Sequence, residues 1–462
     1  MDIRERSRGK LNYYYKREVP VIRDIRLTPA QVLTIWYLSA IIIGTILLSL
    51  PMATATGRGV DWIDALFTST SATCVTGLIV VNTAEHWSIF GKAVIMLLIQ
   101  FGGIGLMTTS TLFAVLLGRK ITLKARLIIK EEVNSLQLSG IIHLTLRIFY
   151  LTFAFEALGT AVLFFRFLGE MPLARAFFFA AFHAVSAFNN AGFDLFGNSL
   201  EGYTSDLVIT TVIALLFIIG GLGFSVIVDY LENRSWRRLN LHSKLVLTIT
   251  AILIVIGFLI VFILELSNPA TLGSLGWQGK ILGAFFQGVT PRTAGFNSIP
   301  IDLLRPATLF ILIFLMFIGA SPGSTGGGVK TTTAGALLAV VYNLVRDRED
   351  VQIYGRRLDR NTVYRALSVV VISASFIVLI VLLLLLTENG SFLEVLFETV
   401  SAFGTVGLSM GQTPDLTEIG RILIVFMMFV GRVGPLTLAL AIGNMSPGRQ
   451  KLRYPLEKIL IG

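Results

Sequence analysis

Apolar residues are gathered into four long blocks along this 462-residue chain, and short charged stretches separate the blocks. Each block contains two long apolar runs with a shorter one between them. About 20 apolar residues are needed to cross a bilayer, so the short runs cannot cross it. Each short run therefore predicts a re-entrant helix with an irregular return, which a membrane accepts only where protein or water encloses it.

The runs define the predicted elements. Blocks one and two contain runs at 31–50, 60–72, 92–117, 141–168, 173–188 and 206–231. Blocks three and four contain runs at 242–266, 277–289, 306–343, 364–386, 391–403 and 420–443. We expect an all-α polytopic membrane protein of four repeats, with eight transmembrane helices and four re-entrant helices. The predicted boundaries are a cytoplasmic tail at 1–30, repeats at 31–118, 119–233, 234–345 (with a broken second helix) and 346–445, and a cytoplasmic tail at 446–462.

The composition is that of a membrane protein. The chain is 54% hydrophobic and only 14% charged, whereas a soluble domain is about one quarter charged. The single cysteine, Cys74, allows no disulfide within the chain. The first thirty residues carry no cleavable signal pattern, which favours a cytoplasmic start.

Positive charge is concentrated between the blocks. Of the 38 Lys and Arg residues, 27 lie in five segments, at 1–30, 119–130, 234–244, 346–365 and 449–458. Basic loops beside membrane spans stay on the cytoplasmic side. This distribution argues against a nucleic-acid partner, in spite of the net charge of +10. It predicts that both termini are cytoplasmic and that membrane lipid surrounds the blocks.

The segments that follow the four short runs align with one another. They read SATCVTGL (71–78), SAFNNAGF (186–193), VTPRTAGF (289–296) and SAFGTVGL (401–408). Each has a glycine in the same place, and the separations are 115, 103 and 112 residues for Gly77, Gly192, Gly295 and Gly407. Each glycine is preceded by a phenylalanine at ten residues and by serine or valine at six, which are Phe67 and Ser71, Phe182 and Ser186, Phe285 and Val289, and Phe397 and Ser401. Helix packing accounts for single glycines but does not predict this register.

The aligned glycines predict an ion filter. Glycine allows backbone angles that turn successive carbonyl oxygens toward one channel, and carbonyl oxygens can replace the water around a desolvated cation. We expect Asn189 and Asn190 either to form hydrogen bonds behind the filter or to line its mouth. We expect Arg292 to point back into the protein, with Glu398 as its partner. The candidate filter residues are Cys74, Val75, Thr76, Gly77, Asn189, Asn190, Ala191, Gly192, Arg292, Thr293, Ala294, Gly295, Gly404, Thr405, Val406 and Gly407.

The closing run of block three differs from the others. The equivalent points elsewhere read FGGIG (101–105), IGGLG (219–223) and VGRVG (430–434), whereas block three reads GASPGSTGGGVKTTT (319–333). Glycine and proline at this density end a helix, so we expect a break in this block alone, with the loop lying across the pore as a gate. A lone arginine in a span needs a partner, so we expect Arg432 to bind carbonyl or hydroxyl groups of the loop, and Lys330 to hold it from the other side. The candidate gate residues are Gly319, Ala320, Ser321, Pro322, Gly323, Ser324, Thr325, Gly326, Gly327, Gly328, Lys330 and Arg432.

These motifs give the chain a close resemblance to the Trk/Ktr/HKT superfamily of cation transporters. They include CVTGL (74–78), NNAGF (189–193), PRTAGFNS (291–298), GTVGLS (404–409), the glycine-rich segment of block three and the ending RYPLEKILIG (453–462). Within the superfamily the chain is most similar to the membrane subunits of bacterial Ktr potassium uptake systems. The resemblance implies a fold of four M1-P-M2 (membrane–pore loop–membrane) repeats around one central pore, with four re-entrant pore helices. It also implies potassium-selective translocation across the bacterial plasma membrane, with potassium bound only in the filter and sodium as an activator. Glycine in all four loops goes with potassium in this family, whereas serine in the first loop goes with sodium in related plant proteins.

The same resemblance implies an assembly. The expected form is a homodimer on a cytosolic ring of nucleotide-binding regulatory subunits (KtrA type), with the nucleotide on that partner and no cofactor on this chain. The ending LEKILIG is apolar, and exposed apolar patches mark contact sites. We therefore expect this ending to be buried at a dimer or subunit contact.

Two other functional classes stay open. Glu156 and Glu265 lie in apolar runs and would mark a proton relay in a secondary transporter with alternating access, although such transporters usually contain inverted repeats. A non-conducting scaffold or receptor would not need four aligned glycine loops. An enzyme is not expected, because no histidine has a second metal ligand three or four residues away; the four are His86, His143, His183 and His242.

Overall fold

The structure, a computed structural model, describes residues 28–105, 141–348 and 350–443. Most of the predicted N-terminal tail, the end of the 92–117 run, the basic segment 119–130 and the C-terminal tail lie outside the described residues. The described part contains sixteen α-helices and one two-stranded hairpin.

Each block folds as a first helix, a pore helix and a second helix. Block one contains α1 (Pro29–Leu48), α2 (Trp62–Thr73), α3 (Thr83–His86) and α4 (Ile89–Ile104). Block two contains α5 (Ile141–Phe167), α6 (Leu173–Phe188), α7 (Leu207–Leu222) and α8 (Phe224–Asn233). Block three contains α9 (Leu241–Glu265), α10 (Trp277–Val289), α11 (Pro306–Phe317) and α12 (Thr331–Val345). Block four contains α13 (Arg360–Thr387), α14 (Phe392–Gly404), α15 (Glu418–Val433) and α16 (Pro435–Gly443).

The first helix of each block is long and apolar enough to cross a membrane. The mean hydropathy of α1, α5, α9 and α13 lies between 1.8 and 3.3. Only 28 to 33% of the residues in their most apolar windows are buried inside the protein, so most of this apolar surface faces outward, as it does in helices that contact lipid. The chain is an all-α polytopic membrane protein with one small hairpin added. The predicted total of eight crossings stays a prediction.

Polar side chains start several of these helices. Thr28 and Gln31 form a reciprocal capping box at α1, and Ser391 and Glu394 form a second one at the pore helix α14. At α7 the Asp206 carboxylate accepts a hydrogen bond of 2.9 Å from the backbone N–H of Ile209. These bonds satisfy N–H groups that the first helical turn leaves without a partner.

The pore helices lie at the centre of the molecule and connect the blocks in a ring. Each pore helix packs against the first and second helices of its own block or the first alone. Each also packs against the second helix of the preceding block, in the pairs α2 with α15, α6 with α4, α10 with α7 and α14 with α11. Because α2 of block one contacts α15 of block four, the ring of four blocks is closed.

The second helices break in more blocks than the sequence predicts. Helix α4 ends at Gly105 with φ 93°, α7 and α8 meet at Gly223 with φ 93°, and α15 and α16 meet at Gly434 with φ 90°. The axes of α7 and α8 differ by 93°. The prediction of a break in block three alone is therefore wrong. The last glycine of each GGxG or GRVG motif takes a left-handed backbone angle, which stops a right-handed helix.

Among the described residues, the break in block three is the longest. Residues 318–330, here called the crossing loop, separate α11 from α12. The two ends of this loop lie side by side, because Ile318 and Val329 form a parallel bridge and the Gly319 N–H donates to the Val329 carbonyl at 2.9 Å. The loop therefore leaves the helix axis and returns to it at nearly the same place.

A small hairpin interrupts the charged stretch between blocks three and four. Its strands are β1 (Gln352–Ile353) and β2 (Arg356–Arg357), and Tyr354 and Gly355 form the turn with φ of 50° and 70°. Two successive positive φ angles are typical of a tight hairpin turn. The side of the protein that carries this hairpin, with residues 234–240 and 346–359, is called the basic face below. The side on which each first helix leads into its pore helix is called the pore-helix face.

Candidate functional site

Each pore helix is followed by a return loop in which two residues have positive φ. The return loops are residues 74–77, 189–192, 292–295 and 404–407, numbered one to four. The residue two before each glycine is left-handed, at Val75 (φ 58°), Asn190 (60°), Thr293 (72°) and Thr405 (51°). The glycines follow with φ of 93°, 69°, 77° and 93°. Non-glycine residues in this region are strained, and such strain is concentrated at functional sites.

The four glycines meet and form a closed ring. A Cβ atom added at each glycine would lie close to a carbonyl oxygen of the next loop. The contacts run from Gly77 to Ala191 (2.5 Å), from Gly192 to Ala294 (3.0 Å), from Gly295 to Val406 (2.5 Å) and from Gly407 to Thr76 (2.1 Å). Each loop thus touches the next one through backbone atoms. Only glycine allows backbones to approach this closely with these angles.

Loop three is one residue shorter than the others between its aligned hydroxyl residue and its glycine, because Thr290 stands five residues before Gly295, whereas the aligned serines stand six residues before their glycines. In each of the other loops, the residue before the glycine donates to the carbonyl of the aligned serine. In loop three Ala294 donates to Thr290 at 3.0 Å, and Phe286 is the fully buried phenylalanine. The predicted equivalents Phe285 and Val289 are therefore wrong by one position, because counting back from the glycine assumes loops of equal length.

A hydroxyl group at the end of each pore helix holds the backbone around the glycine. Two of these groups accept from the glycine N–H and two donate to the carbonyl of the next residue. The bonds are Gly77 N–H to Ser71 Oγ (3.1 Å), Gly407 N–H to Ser401 Oγ (3.1 Å), Ser186 Oγ to the Phe193 carbonyl (2.7 Å) and Thr290 Oγ1 to the Phe296 carbonyl (2.5 Å). The hydroxyl at this position therefore fixes the turn in all four loops.

Asn189 and Asn190, the first two residues of loop two, are fully buried. The Asn189 Nδ2 group donates to Glu156 Oε1 at 2.9 Å and to Gln100 Oε1 at 3.0 Å. The Asn190 carboxamide lies 3.1 Å from Thr293 Oγ1 of loop three. The side chain of Asn189 thus bonds loop two to α4 and α5, and that of Asn190 bonds it to loop three.

Arg292 points back into the protein, but its partner is not the predicted one. Its side chain is buried, and Nη2 donates to Thr250 Oγ1 on α9 at 3.2 Å. Glu398 instead accepts from Thr413 Oγ1 at 2.7 Å and from the Met410 N–H at 3.1 Å, both in block four. The predicted pairing of Arg292 with Glu398 is wrong, because each side chain binds within its own block.

The crossing loop packs directly against return loops three and four. The Gly327 N–H donates to Thr405 Oγ1 at 3.0 Å, and a Cβ atom at Gly326 would lie 2.1 Å from Thr293 Oγ1. Both threonines are the left-handed residues of their loops. The crossing loop is therefore the layer of backbone next to the ring.

The second helices of blocks two and four hold the crossing loop through their glycine carbonyls. The bonds run from the Ser321 N–H to Gly221 (3.1 Å), from the Thr325 N–H to Gly220 (3.3 Å) and from the Gly328 N–H to Gly431 (3.4 Å). These helices can come so close to the core because glycine has no side chain. At Gly102, Gly220 and Gly431 a Cβ atom would lie 1.9 to 2.0 Å from a carbonyl at the end of a pore helix. The repeated GGxG or GRVG motif was the sequence signal for this contact.

Arg432 and Lys330 bind carbonyl groups of the crossing loop. Arg432 donates through Nη1 to the Thr325 carbonyl and through Nη2 to the Gly102 carbonyl of block one. Lys330 Nζ donates to the Gly326 carbonyl at 2.7 Å. The predicted partner of Arg432, a carbonyl of this loop, is the one observed. One guanidinium thus connects three blocks.

A cavity of about 420 Å³ lies beside the crossing loop. Its charged lining residues are Lys330, Arg365 and Arg432, and no carboxylate belongs to the described lining. Positive charge lowers the local concentration of cations. With the crossing loop in this position, the cavity is therefore unfavourable for a cation.

On the pore-helix face, the segments that follow loops two and three are bonded to each other. The Asn297 Nδ2 group donates to Glu201 Oε1 at 2.7 Å, and the Asn297 N–H donates to Ser199 Oγ at 3.0 Å. Burial raises the pKa of the Glu201 carboxyl group. These bonds connect blocks two and three outside the ring itself.

The buried glutamates do not form a relay in the described part of the chain. Glu265 lies at the end of α9, where Oε1 accepts from Thr308 Oγ1 at 2.5 Å and from the Arg305 N–H at 2.9 Å. Glu156 lies on α5 and binds the Asn189 side chain. No three metal-binding side chains come together among the described residues, and the His143 side chain lies outside the described part.

Comparisons with known proteins give the family. The family model of TrkH, a cation transport protein, matches residues 29–452. The chain is 43% identical to the Ktr system potassium uptake protein B of Bacillus subtilis, over 96% of this chain and 98% of that protein. It is 39% identical to the potassium/sodium uptake protein NtpJ of Enterococcus hirae, over 95% and 98%. The crystal structure of the potassium transporter TrkH from Vibrio parahaemolyticus has the same fold, with a TM-score of 0.68 at 20% identity over 94% of this chain and 87% of that one. The chain therefore belongs to the TrkH family of cation transport proteins.

Proposed function

We propose that this chain carries potassium into the cell as the ion-translocating subunit of a Ktr-type uptake system. The observation that carries the proposal is the closed ring of return loops, in which each glycine touches a carbonyl group of the next loop. A ring of backbone carbonyls can replace the hydration shell of a cation. Relatives named as potassium and potassium/sodium uptake proteins support potassium as the substrate. Sodium as an activating ion is part of this proposal and has no support from those names.

The four return loops are the selectivity filter in this proposal. The residues from Cys74 to Gly77 and their counterparts in the other three loops supply the backbone oxygens. The hydroxyl groups at the ends of the pore helices and the side chains behind loop two hold these oxygens in place. The function needs no covalent chemistry, so we propose no enzymatic role.

The crossing loop is the gate in this proposal. It lies against return loops three and four, and Arg432 and Lys330 bind two of its carbonyl groups. The structure then represents a closed state, since the loop and the positive cavity beyond it both oppose cation passage. A regulator opens the gate if it binds the open position of the loop better than the closed one.

The proposed assembly is a homodimer in the bacterial plasma membrane. Relatives named as parts of a Ktr system support further components, and we propose a cytosolic nucleotide-binding ring of the KtrA type. The basic segments between the blocks favour a cytoplasmic basic face and cytoplasmic termini. Nucleotide then binds the partner ring, and this chain binds potassium only in its filter.

The test of the filter is the substitution Gly77→Ser. A Cβ atom at Gly77 would lie 2.5 Å from the Ala191 carbonyl, at a φ of 93°. A side chain at left-handed φ costs about 1–2 kcal/mol, which is enough to displace loop one. We expect the preference for potassium over sodium to fall about tenfold in ion uptake by proteoliposomes, since 1.4 kcal/mol corresponds to a factor of ten.

The matched control is Gly57→Ser. Gly57 also has a positive φ, of 69°, but nothing lies within 4 Å of its Cβ position. This variant carries the same backbone strain outside the ring and should keep the ion preference. A Gly77→Ser protein that inserts correctly and discriminates as well as the unmodified chain would refute the filter.

A further inference from the structure

Each pore helix carries one buried polar side chain directly after its buried phenylalanine. These side chains have exposed fractions of 0 or 1% and belong to Thr68, His183, Gln287 and Glu398. They are equivalent positions, because each stands nine residues before its glycine, or eight in the shorter loop three. Burial of a polar group in an apolar helix is costly unless the group is hydrogen-bonded. A buried polar side chain at the same position in all four blocks indicates that this position has a common structural role.

In three blocks the side chain accepts a hydrogen bond from the same place in the chain. The donor is the backbone N–H of the third residue after the ring glycine. The bonds run from Leu195 to His183 Nε2 (3.3 Å), from Ser298 to Gln287 Oε1 (3.4 Å) and from Met410 to Glu398 Oε1 (3.1 Å). Three chemically different side chains thus make one geometric contact.

The protonation of His183 follows from its second contact. Nδ1 lies 2.7 Å from the Phe179 carbonyl, which can only accept. Nδ1 therefore carries the proton, and Nε2 is left as the acceptor for the Leu195 N–H. The imidazole ring also stacks on Phe196 at 4.5 Å, so two neighbouring residues of the segment after the glycine contact this one side chain.

Block one lacks the bond. The Thr68 hydroxyl is buried and has no hydrogen-bond partner among the described residues. The threonine side chain is two bonds shorter than that of glutamine, which makes the equivalent contact in block three. Loop one is therefore the return loop without this restraint.

We propose that His183, Gln287 and Glu398 are positioning residues that set the ion preference of the ring, because each fixes the backbone three residues beyond a glycine. This proposal rests on the filter function of the ring. Leu195 and Ser298 are buried, and a buried N–H group without a partner is unfavourable. Loss of the acceptor therefore moves the segment after the glycine, and the glycine carbonyl moves with it.

The test compares His183→Leu with His183→Gln. Leucine removes the acceptor, whereas glutamine restores an acceptor that the chain already uses at Gln287 in block three. Both substitutions remove the imidazole ring and its stacking on Phe196, so they differ in the hydrogen bond. We expect His183→Leu to lower the preference for potassium over sodium roughly three- to tenfold, the factor that corresponds to one hydrogen bond, and His183→Gln to keep it.

Gly77→Ser, measured in the same proteoliposomes, separates the two proposals. If Gly77→Ser changes the ion preference and His183→Leu does not, the positioning role is wrong and the filter stands. If neither changes it, the filter itself is wrong. An equal fall in His183→Leu and His183→Gln also overturns the positioning role, because ring stacking would then explain the effect.

A second pair of variants covers the case in which His183→Leu does not insert. Gln287→Leu removes the acceptor in block three, and Gln287→Glu keeps an oxygen at the same place, as Glu398 does in block four. A fall in preference in Gln287→Leu alone supports the proposal. The same fall in both variants, or no change in Gln287→Leu, overturns it.

Discussion

Arg432→Ala should open the proposed gate. The side chain makes two charge-assisted hydrogen bonds, but only the bond to Thr325 restrains the crossing loop, because the bond to Gly102 ends on block one. A hydrogen bond to a charged group contributes about 1.5–3 kcal/mol. The cavity beside the loop is large enough to hold water, and water can replace part of this bond. The lower value of about 1.5 kcal/mol therefore applies, and it corresponds to about a tenfold change in the equilibrium constant between the closed and open states.

The assay is the initial rate of potassium uptake by proteoliposomes that contain this chain without a regulatory partner. If the closed state dominates, the rate should rise about tenfold in Arg432→Ala, in proportion to the open population. Potassium over sodium preference should not change, because the return loops are not altered. Arg421→Ala is the matched control, since it removes an arginine from the same helix, and Arg421 pairs with Asp64 away from the crossing loop.

Arg432→Lys separates the tether from the charge. Lysine keeps the positive charge in the cavity, but its side chain is one bond shorter than that of arginine, so its ammonium group does not extend as far toward the Thr325 carbonyl as the guanidinium does. The tether predicts a raised rate in Arg432→Lys as well. A normal rate in Arg432→Lys with a raised rate in Arg432→Ala would show that charge repulsion closes the path, and an unchanged rate in both would refute the gate assigned to this residue.

Two further predictions concern the loop and the tail. Deletion of residues 319–328 should raise potassium flux more than Arg432→Ala does and should keep ion selectivity. The deletion is feasible because Ile318 and Val329 already lie side by side and can be joined. Loss of flux in a correctly inserted protein would instead place the loop in the conduction path. Deletion of residues 454–462, which lie outside the described residues, should lower the yield of dimer or complex after detergent extraction. The reason is that it removes an apolar ending expected at a contact. Size-exclusion chromatography with light scattering measures this yield, and a yield equal to that of the full chain would reject the prediction.

The helices of the blocks could be predicted closely from the sequence. The run at 60–72 corresponds to α2 at Trp62–Thr73, and the run at 364–386 corresponds to α13 at Arg360–Thr387. The reason is physical. The thickness of the membrane sets the length of an apolar run, and this constraint acts on the sequence without reference to its neighbours.

The helix breaks and the side-chain partners could not be predicted in the same way. A glycine inside an apolar run is equally compatible with close helix packing and with a left-handed break, and Gly102 and Gly105 show one of each within four residues. The partner of Arg292 depends on how α10 is rotated about its axis and on the direction of the following loop, which periodicity does not give. The restraint at His183 was hidden for a different reason. Its position can be aligned across the blocks, but four different residue types occupy it, and no shared residue type marks a common contact.

All four blocks contribute to the ring in the same way, but they contribute differently to the proposed gate. All four supply the same element to the ring, so near-equivalence is needed there, and the loops keep it in spite of the missing residue in loop three. Regulation needs a difference between the blocks, because four identical second helices would offer no movable part. In block three the crossing loop interrupts the second helix. Blocks two and four have glycines whose carbonyl groups accept hydrogen bonds from this loop, at Gly220, Gly221 and Gly431. In block four an arginine replaces the second glycine of the motif, and its guanidinium connects the loop to block one. Blocks two and four therefore contact the crossing loop directly, and block one is connected to it through the Arg432 guanidinium, so a movement of any of them can change its position.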